Sequence, residues 1–203
     1  MSAERVMKSI CSWLERKLFL KVNAGKTKVV RPMRSKYLGF TFLKNGGEWK
    51  VKPATEKKKK LKEKLSEYLK RGKAIVRPLV VTIRRVNEIV RGWINYFRIG
   101  LMKQFMEEFG KWLRHKIRVI VMKQWKNPKT IYGNLCYLNW KNRNGFSHGD
   151  IYKVANSRLG WYRRSGMNVV NFIISKDLLE NRIKDGAGLL NPLSYYFETI
   201  PSG

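Results

Sequence analysis

The sequence predicts a mainly α protein of the α+β class: an N-terminal helix and a β-hairpin, a three-helix bundle, then a short helical tail. Two observations carry this. Apolar residues recur every three to four positions through long stretches between 55 and 126, the period of a helix with one buried face. Before them, Asn45-Gly46-Gly47 separates two short runs rich in aromatic and apolar residues, the signature of a tight hairpin.

Val6, Ile10, Trp13, Leu14 and Leu18 set the first helix. Lys28-Val29-Val30-Arg31-Pro32 then leads into short strands, Tyr37 to Leu43 and Glu48 to Val51, paired across the glycine turn. Thr55 caps the next helix, whose core face is Leu61, Leu65, Tyr68 and Leu69 and which stops near Gly72. Pro78 suits a first helical turn. After it Leu79, Ile83, Val86, Val90, Trp93 and Phe97 alternate steps of four and three. The third helix of the bundle follows Gly100, with Phe105, Phe109, Trp112, Leu113, Ile117 and Ile120 on one broad apolar face. Lys111, Arg114 and Arg118 lie opposite and are expected to point outward. Asn127-Pro128 ends it. Residues 127–203 are less regular, with short helices expected near 168–175 and 177–184 and a glycine-rich stop at 185–188. The units are therefore 1–53, 54–126 and 127–203.

Charge narrows the function. Across 203 residues, 44 Lys+Arg against 14 Asp+Glu leave a formal charge of +30, which a polyanion would relieve. Cations interrupt every apolar run, so no stretch nears the ~20 residues of a membrane span. The segment Met1 to Arg5 has no apolar signal core. Cys11 and Cys136 are too few for a disulfide framework or a four-ligand zinc site, which fits a reducing, cytoplasmic location. Nucleic acid is the expected partner, and membrane is not.

The chemistry-bearing residues point the same way. Two-metal nucleotidyl transfer needs clustered carboxylates, yet the aspartates are only Asp150, Asp177 and Asp185, with no Asp-Asp pair. His115 and His148 make no nuclease or deaminase motif, and His115 is expected on a solvated basic face. No phosphate-binding Gly-x-x-x-x-Gly-Lys loop occurs. No cofactor or metal is expected. Lys57, Lys58, Lys59 and Lys60 advance ~100° each along a helix, so several must leave the core face, beside Lys62 and Lys64. Those lysines, with Arg84, Arg91, Lys111, Arg114, Arg118, Arg163 and Arg164, are the candidate RNA-backbone ligands. Trp93, Trp112 and Trp125 are expected in the core. Trp140 and Trp161 are open between core and base stacking.

Several of these segments resemble one family. Lys21-Val22-Asn23-Ala24-Gly25-Lys26-Thr27 is similar to a late palm motif of group II intron reverse transcriptases, and Tyr37-Leu38-Gly39-Phe40 resembles their primer-contacting hairpin. Asn87 with Arg91-Gly92-Trp93-Ile94-Asn95-Tyr96 resembles the maturase-specific thumb helix of domain X. Lys123-Gln124-Trp125-Lys126 and Ala155-Asn156-Ser157-Arg158-Leu159-Gly160-Trp161 resemble two segments further on, in the right order.

The resemblance implies a palm remnant (1–53), a thumb (54–126) and a maturase tail (127–203). It implies that group II intron RNA is bound and folded for splicing while the RNA performs the transesterification. It further implies that Lys26, Thr27, Tyr37, Leu38, Gly39 and Phe40 grip a primer in the intact polymerase, where magnesium would serve. The family's Ala-Asp-Asp motif would precede the helix that Ser2 to Val6 resembles, so this chain is expected to be non-catalytic alone. The enzyme alternative is the C-terminal half of a split RNA-directed DNA polymerase, with a primer–template duplex and an aspartate-bearing chain as partners.

Overall fold

A computed structural model describes residues 2–181 and 188–200, in two compact units, Met1–Ala54 and Thr55–Gly203. Among the described residues are eleven helices and one three-stranded antiparallel sheet, so the chain is mainly helical as the sequence predicts, with one strand and several short helices more than it indicates. The expected helical end at 182–184 and the stop at Asp185-Gly186-Ala187 lie outside the described residues.

In the first unit, α1 (Ala3–Leu18) is amphipathic, but none of its residues is buried: Val6, Ile10, Trp13 and Leu18 are all exposed. Strands β1 (Lys36–Tyr37), β2 (Phe40–Asn45) and β3 (Glu48–Pro53) follow in order β1-β2-β3. Asn45 pairs with Glu48 across Gly46 and Gly47, whose φ of +61° and +87° make the two-residue turn a hairpin needs. The sequence reading ran one strand through Tyr37 to Leu43. The chain instead turns at Leu38 (φ +49°) and Gly39 (φ +86°), so Tyr37 pairs back on Phe40. Residues 28–31 form no strand.

In the second unit, α2 (Thr55–Tyr68) buries Leu61 and Leu65 as expected. The short α3 (Arg71–Ala74) precedes α4 (Leu79–Phe97), which buries Ile83, Val86, Val90, Ile94 and Phe97. Helix α5 (Lys103–Gln124) departs from the expectation of an outward basic face. It buries Phe109, Leu113, Ile117 and Ile120, but also Arg118, Val119, Val121 and Met122, so its last two turns are enclosed on nearly every side.

The enclosure comes from the tail, which is more helical than its sequence suggested. It holds α6 (Pro128–Lys141), α7 (His148–Ala155), α8 (Trp161–Ser165), α9 (Asn168–Ile173), α10 (Lys176–Asn181) and α11 (Pro192–Thr199). Asn127 does end α5, yet its Oδ1 accepts the Thr130 amide at 2.8 Å and so starts α6 with Pro128 in the first turn. Helices α8 and α11 pack on α5, and α11 also reaches α4.

Three of the polar side chains that cross-link this unit, two of them holding the tail, belong to motifs singled out in the sequence. Asn87 is buried in α4, donates to the Gly188 carbonyl at 2.7 Å and accepts the Leu190 amide at 2.9 Å. Asn95 accepts from the Tyr195 hydroxyl, 3.1 Å. Gln124 donates to the carbonyls of Arg77 (3.0 Å) and Ile75 (3.3 Å), tying the end of α5 to the linker before α4.

Candidate nucleic-acid interface

An aromatic ladder runs along α4 and α5: Trp93 stands 4.5 Å from Phe97 and 5.5 Å from Phe105, followed by Phe109 and Trp112 at 5.6 Å steps. Helix α2 lies beside it. Its lysines divide as ~100° steps require. Lys58 and Lys62 fold their stems inward and set their ammonium groups 5.0 and 5.7 Å from the centre of the Phe105 ring. Lys59 pairs with Glu63 at 3.7 Å. Lys57, Lys60 and Lys64 are exposed on the rim of a groove of about 590 Å³ between α2 and α4.

The groove floor is apolar: Leu61, Ile89, Trp93 and Phe97, with Gly92 opening space beside the indole. Arg85, Glu88 and Tyr96 complete it. Arg85 is held by Glu88 at 2.7 Å, while Tyr96 is exposed. Sequence reasoning singled out Arg84 and missed Arg85, the guanidinium that reaches the groove. The i, i+4 and i+7 steps from Arg85 to Ile89 and Gly92 were the available signal. Arg84 and Arg91 are exposed, and Arg91 stands 6.0 Å over the Tyr195 ring. Cations around an aromatic floor suit a nucleic acid: the cations neutralise phosphate, and rings offer surface to unstacked bases.

On α5 the candidates separate. Lys111 is exposed and pairs with Glu107 at 2.9 Å. Arg114 is half-buried, and that burial pulls its guanidinium below the ordinary arginine range. Arg118 does not point outward as the sequence reading expects. It is buried, its Nε donates to the Ile174 carbonyl at 2.8 Å, and its Nη2 donates to the Asn171 carbonyl at 3.4 Å. Burial, with Arg114 nearby, brings its pKa down to about 10. Arg164 is corrected likewise: it is buried and donates to the carbonyls of Val154 (2.8 Å) and Ala155, closing the end of α7. Its neighbour Arg163 stays exposed. His115 is not on a solvated face either. Its ring lies 4.1 Å from that of Tyr162, with Nε2 3.0 Å from the Tyr162 carbonyl oxygen, and burial lowers its pKa.

The tryptophans resolve individually. Trp93, Trp112 and Trp125 are half-buried rather than enclosed. Trp161 is half-buried between cations, with Lys123 at 4.9 Å and Arg164 at 5.1 Å from its ring. Trp140 is 76% exposed, over a depression shared with Arg143, Phe146 and His148.

In the first unit, Asn23 closes a turn: its Oδ1 accepts the Lys26 amide at 3.1 Å and its carbonyl accepts the Thr27 hydroxyl at 2.9 Å. Lys26 is exposed and Thr27 half-buried. Tyr37 and Leu38 are exposed at the first turn of the sheet, whereas the Phe40 side chain is buried and not offered to a ligand. Among the described residues no three His, Cys, Asp or Glu gather as a metal site, and no helix is long and apolar enough to cross a membrane.

Residues 58–136 match the family described as the group II intron, maturase-specific domain. The match opens inside α2 and closes inside α6, so it contains every groove residue but Lys57. The motif-based reading of this stretch as a maturase-specific domain therefore holds, and such a domain implies a role with intron RNA in splicing. No curated protein matches the chain.

Proposed function

We propose that the chain binds folded group II intron RNA and steadies it for splicing, contributing charge and stacking surface while the RNA's own groups break and join the bonds. The observation that carries this is a coincidence of place: the stretch matching the maturase-specific domain holds a groove rimmed by Lys60 and Lys64, with Lys57 just before it, and floored by Trp93 and Phe97. In this reading 54–126 acts as thumb and 127–203 as its brace. The turns at Lys26-Thr27 and Tyr37-Gly39 face a primer during RNA-templated DNA synthesis in a longer polymerase. Nothing in the reading draws a metal or cofactor from this chain.

The test is binding of a structured intron transcript to the purified chain across a series of salt concentrations. Log affinity should fall linearly with log salt, by ~0.7–0.9 per phosphate contacted. Precursor transcript should splice faster at low magnesium when the chain is added. A chain that ignores structured RNA in dilute buffer overturns the proposal.

A further inference from the structure

On the side of α5 turned toward the tail, Lys111, Arg114, His115, Arg118, Asn171 and Lys176 line a cleft of about 420 Å³. Its charges do not cancel. Lys111 is engaged by Glu107, and Arg118 spends its N–H groups on main-chain carbonyls, which leaves its charge in place. Arg114 is half-buried, yet its guanidinium makes no hydrogen bond to a described residue; only the field of Glu180 favours its charge. Glu180 is a single carboxylate near Arg114 and Lys176, burial pushes its carboxyl up, and one of its oxygens is buried with no hydrogen-bond partner among the described residues. Lys176, on α10, is exposed at the same cleft.

A desolvated guanidinium without an acceptor is costly, and an anion with paired oxygens relieves that cost. The backbone favours Arg114's pose: a Cβ on Gly110 would come within 3.1 Å of its Nη1, so glycine lets the guanidinium lie against the helix. The cleft is also not a closed pocket. A second depression of about 200 Å³ shares Lys111, Arg114 and Lys176 and runs on past Gly110 to Asn191. A track of this kind fits successive groups of a polymer better than one small ion.

We infer that the junction of α5 with α10 is a phosphodiester-binding subsite, in which Arg114 and Lys176 together grip a backbone phosphate of bound RNA. The subsite rests on the RNA-binding reading but uses a face separate from the α2–α4 groove. It gives the tail a part in binding as well as in packing, and Lys176 enters as a ligand that no motif indicated.

The experiment compares wild type, K176Q and R114Q, each as the full chain, for affinity toward a structured intron transcript over a salt series. Each variant should show a shallower log–log slope, the loss reaching ~0.7–0.9 when the shared phosphate contact is gone. R114K should recover the slope but bind several-fold more weakly than wild type, because an ammonium cannot make the bidentate contact. Lys176 is exposed, so K176Q keeps the thermal unfolding midpoint and stays informative even if R114Q does not fold. A wild-type slope in K176Q and in folded R114Q overturns the subsite and leaves the RNA reading standing. A wild-type chain that binds no RNA at any salt overturns both. If inorganic phosphate stabilises wild type more than R114Q at matched ionic strength while RNA slopes stay equal, the cleft serves a free anion and the proposal fails.

Discussion

Helices α2 and α5 both place cations at helical spacing against an aromatic core, and the two faces end in opposite environments. On α2 nothing covers Lys57, Lys60 and Lys64, so their charge faces solvent beside the groove. On α5 the same kind of stripe lies under α8 to α10. There Arg118 becomes a staple for main-chain carbonyls more than fifty residues away in sequence. A basic stripe is thus a statement about a helix only until the rest of the chain has packed. What decides between ligand and brace is whether carbonyl oxygens arrive to take the N–H groups.

The contrast can be broken by exchanging losses. The largest effect is expected from R118A. Removing the guanidinium strands the carbonyl of Ile174 in the interior and leaves a void, at a cost of ~2–4 kcal/mol in chemical denaturation. The folded fraction should bind RNA with nearly the wild-type salt slope. The reverse pattern is expected of K57Q/K60Q/K64Q. Its unfolding free energy should stay within ~0.5 kcal/mol of wild type, as surface changes do, while the salt slope flattens by ~2.1–2.7. If the triple variant unfolds easily or R118A alone flattens the slope, the assignment of the two faces is inverted.

A smaller effect sharpens the buried side. His115 is held below its ordinary 6.5 by burial, with Arg118 and Lys116 adding repulsion and the Tyr162 carbonyl pulling the other way. The folded chain therefore takes up this proton less readily than the unfolded chain. The associated stability is present above the unfolded value and is lost as pH falls through 6.5. Between pH ~7 and ~5 the unfolding midpoint of wild type should drop more than that of H115Q. Equal drops would mean that another group governs this window.

The parts of the fold legible in the sequence were those set locally. Gly46 and Gly47 fix the hairpin because a two-residue turn needs positive φ, and the long apolar periods of α2, α4 and α5 survive any packing partner. The tail was harder. Helices of five to eight residues such as α7, α8 and α11 are unstable alone and exist because others hold them, α5 and α4 for α8 and α11 and α6 and α9 for α7, which no local period records. Helix α6 is nearer to legible: Ile131, Leu135 and Leu138 repeat at helical spacing behind an Asn-Pro start, yet in sequence that dipeptide reads as a stop. At the interface, the lysine run of α2 was visible because four consecutive cations cannot all face a core. The burial of Arg118 and Arg164 was not, since an arginine bound for carbonyls and one bound for water look alike in sequence. Leu38 hid its turn for a related reason. A leucine at positive φ is uncommon, so the apolar run around it read as unbroken strand.

The clasp of Asn87 on Gly188 and Leu190 changes what counts as one unit of this architecture. The stretch that carries the family signature, 58–136, does not own both partners of all its closures. Its central helix is roofed by segments that lie beyond that boundary, and a buried amide on α4 finds its partners a hundred residues downstream. Excised at its signature limits, the piece would lose the helices packed on α5 and leave Arg118 shorn of its acceptors. Recombination or engineering that transplants this module must therefore carry the downstream helices along as part of the same cargo.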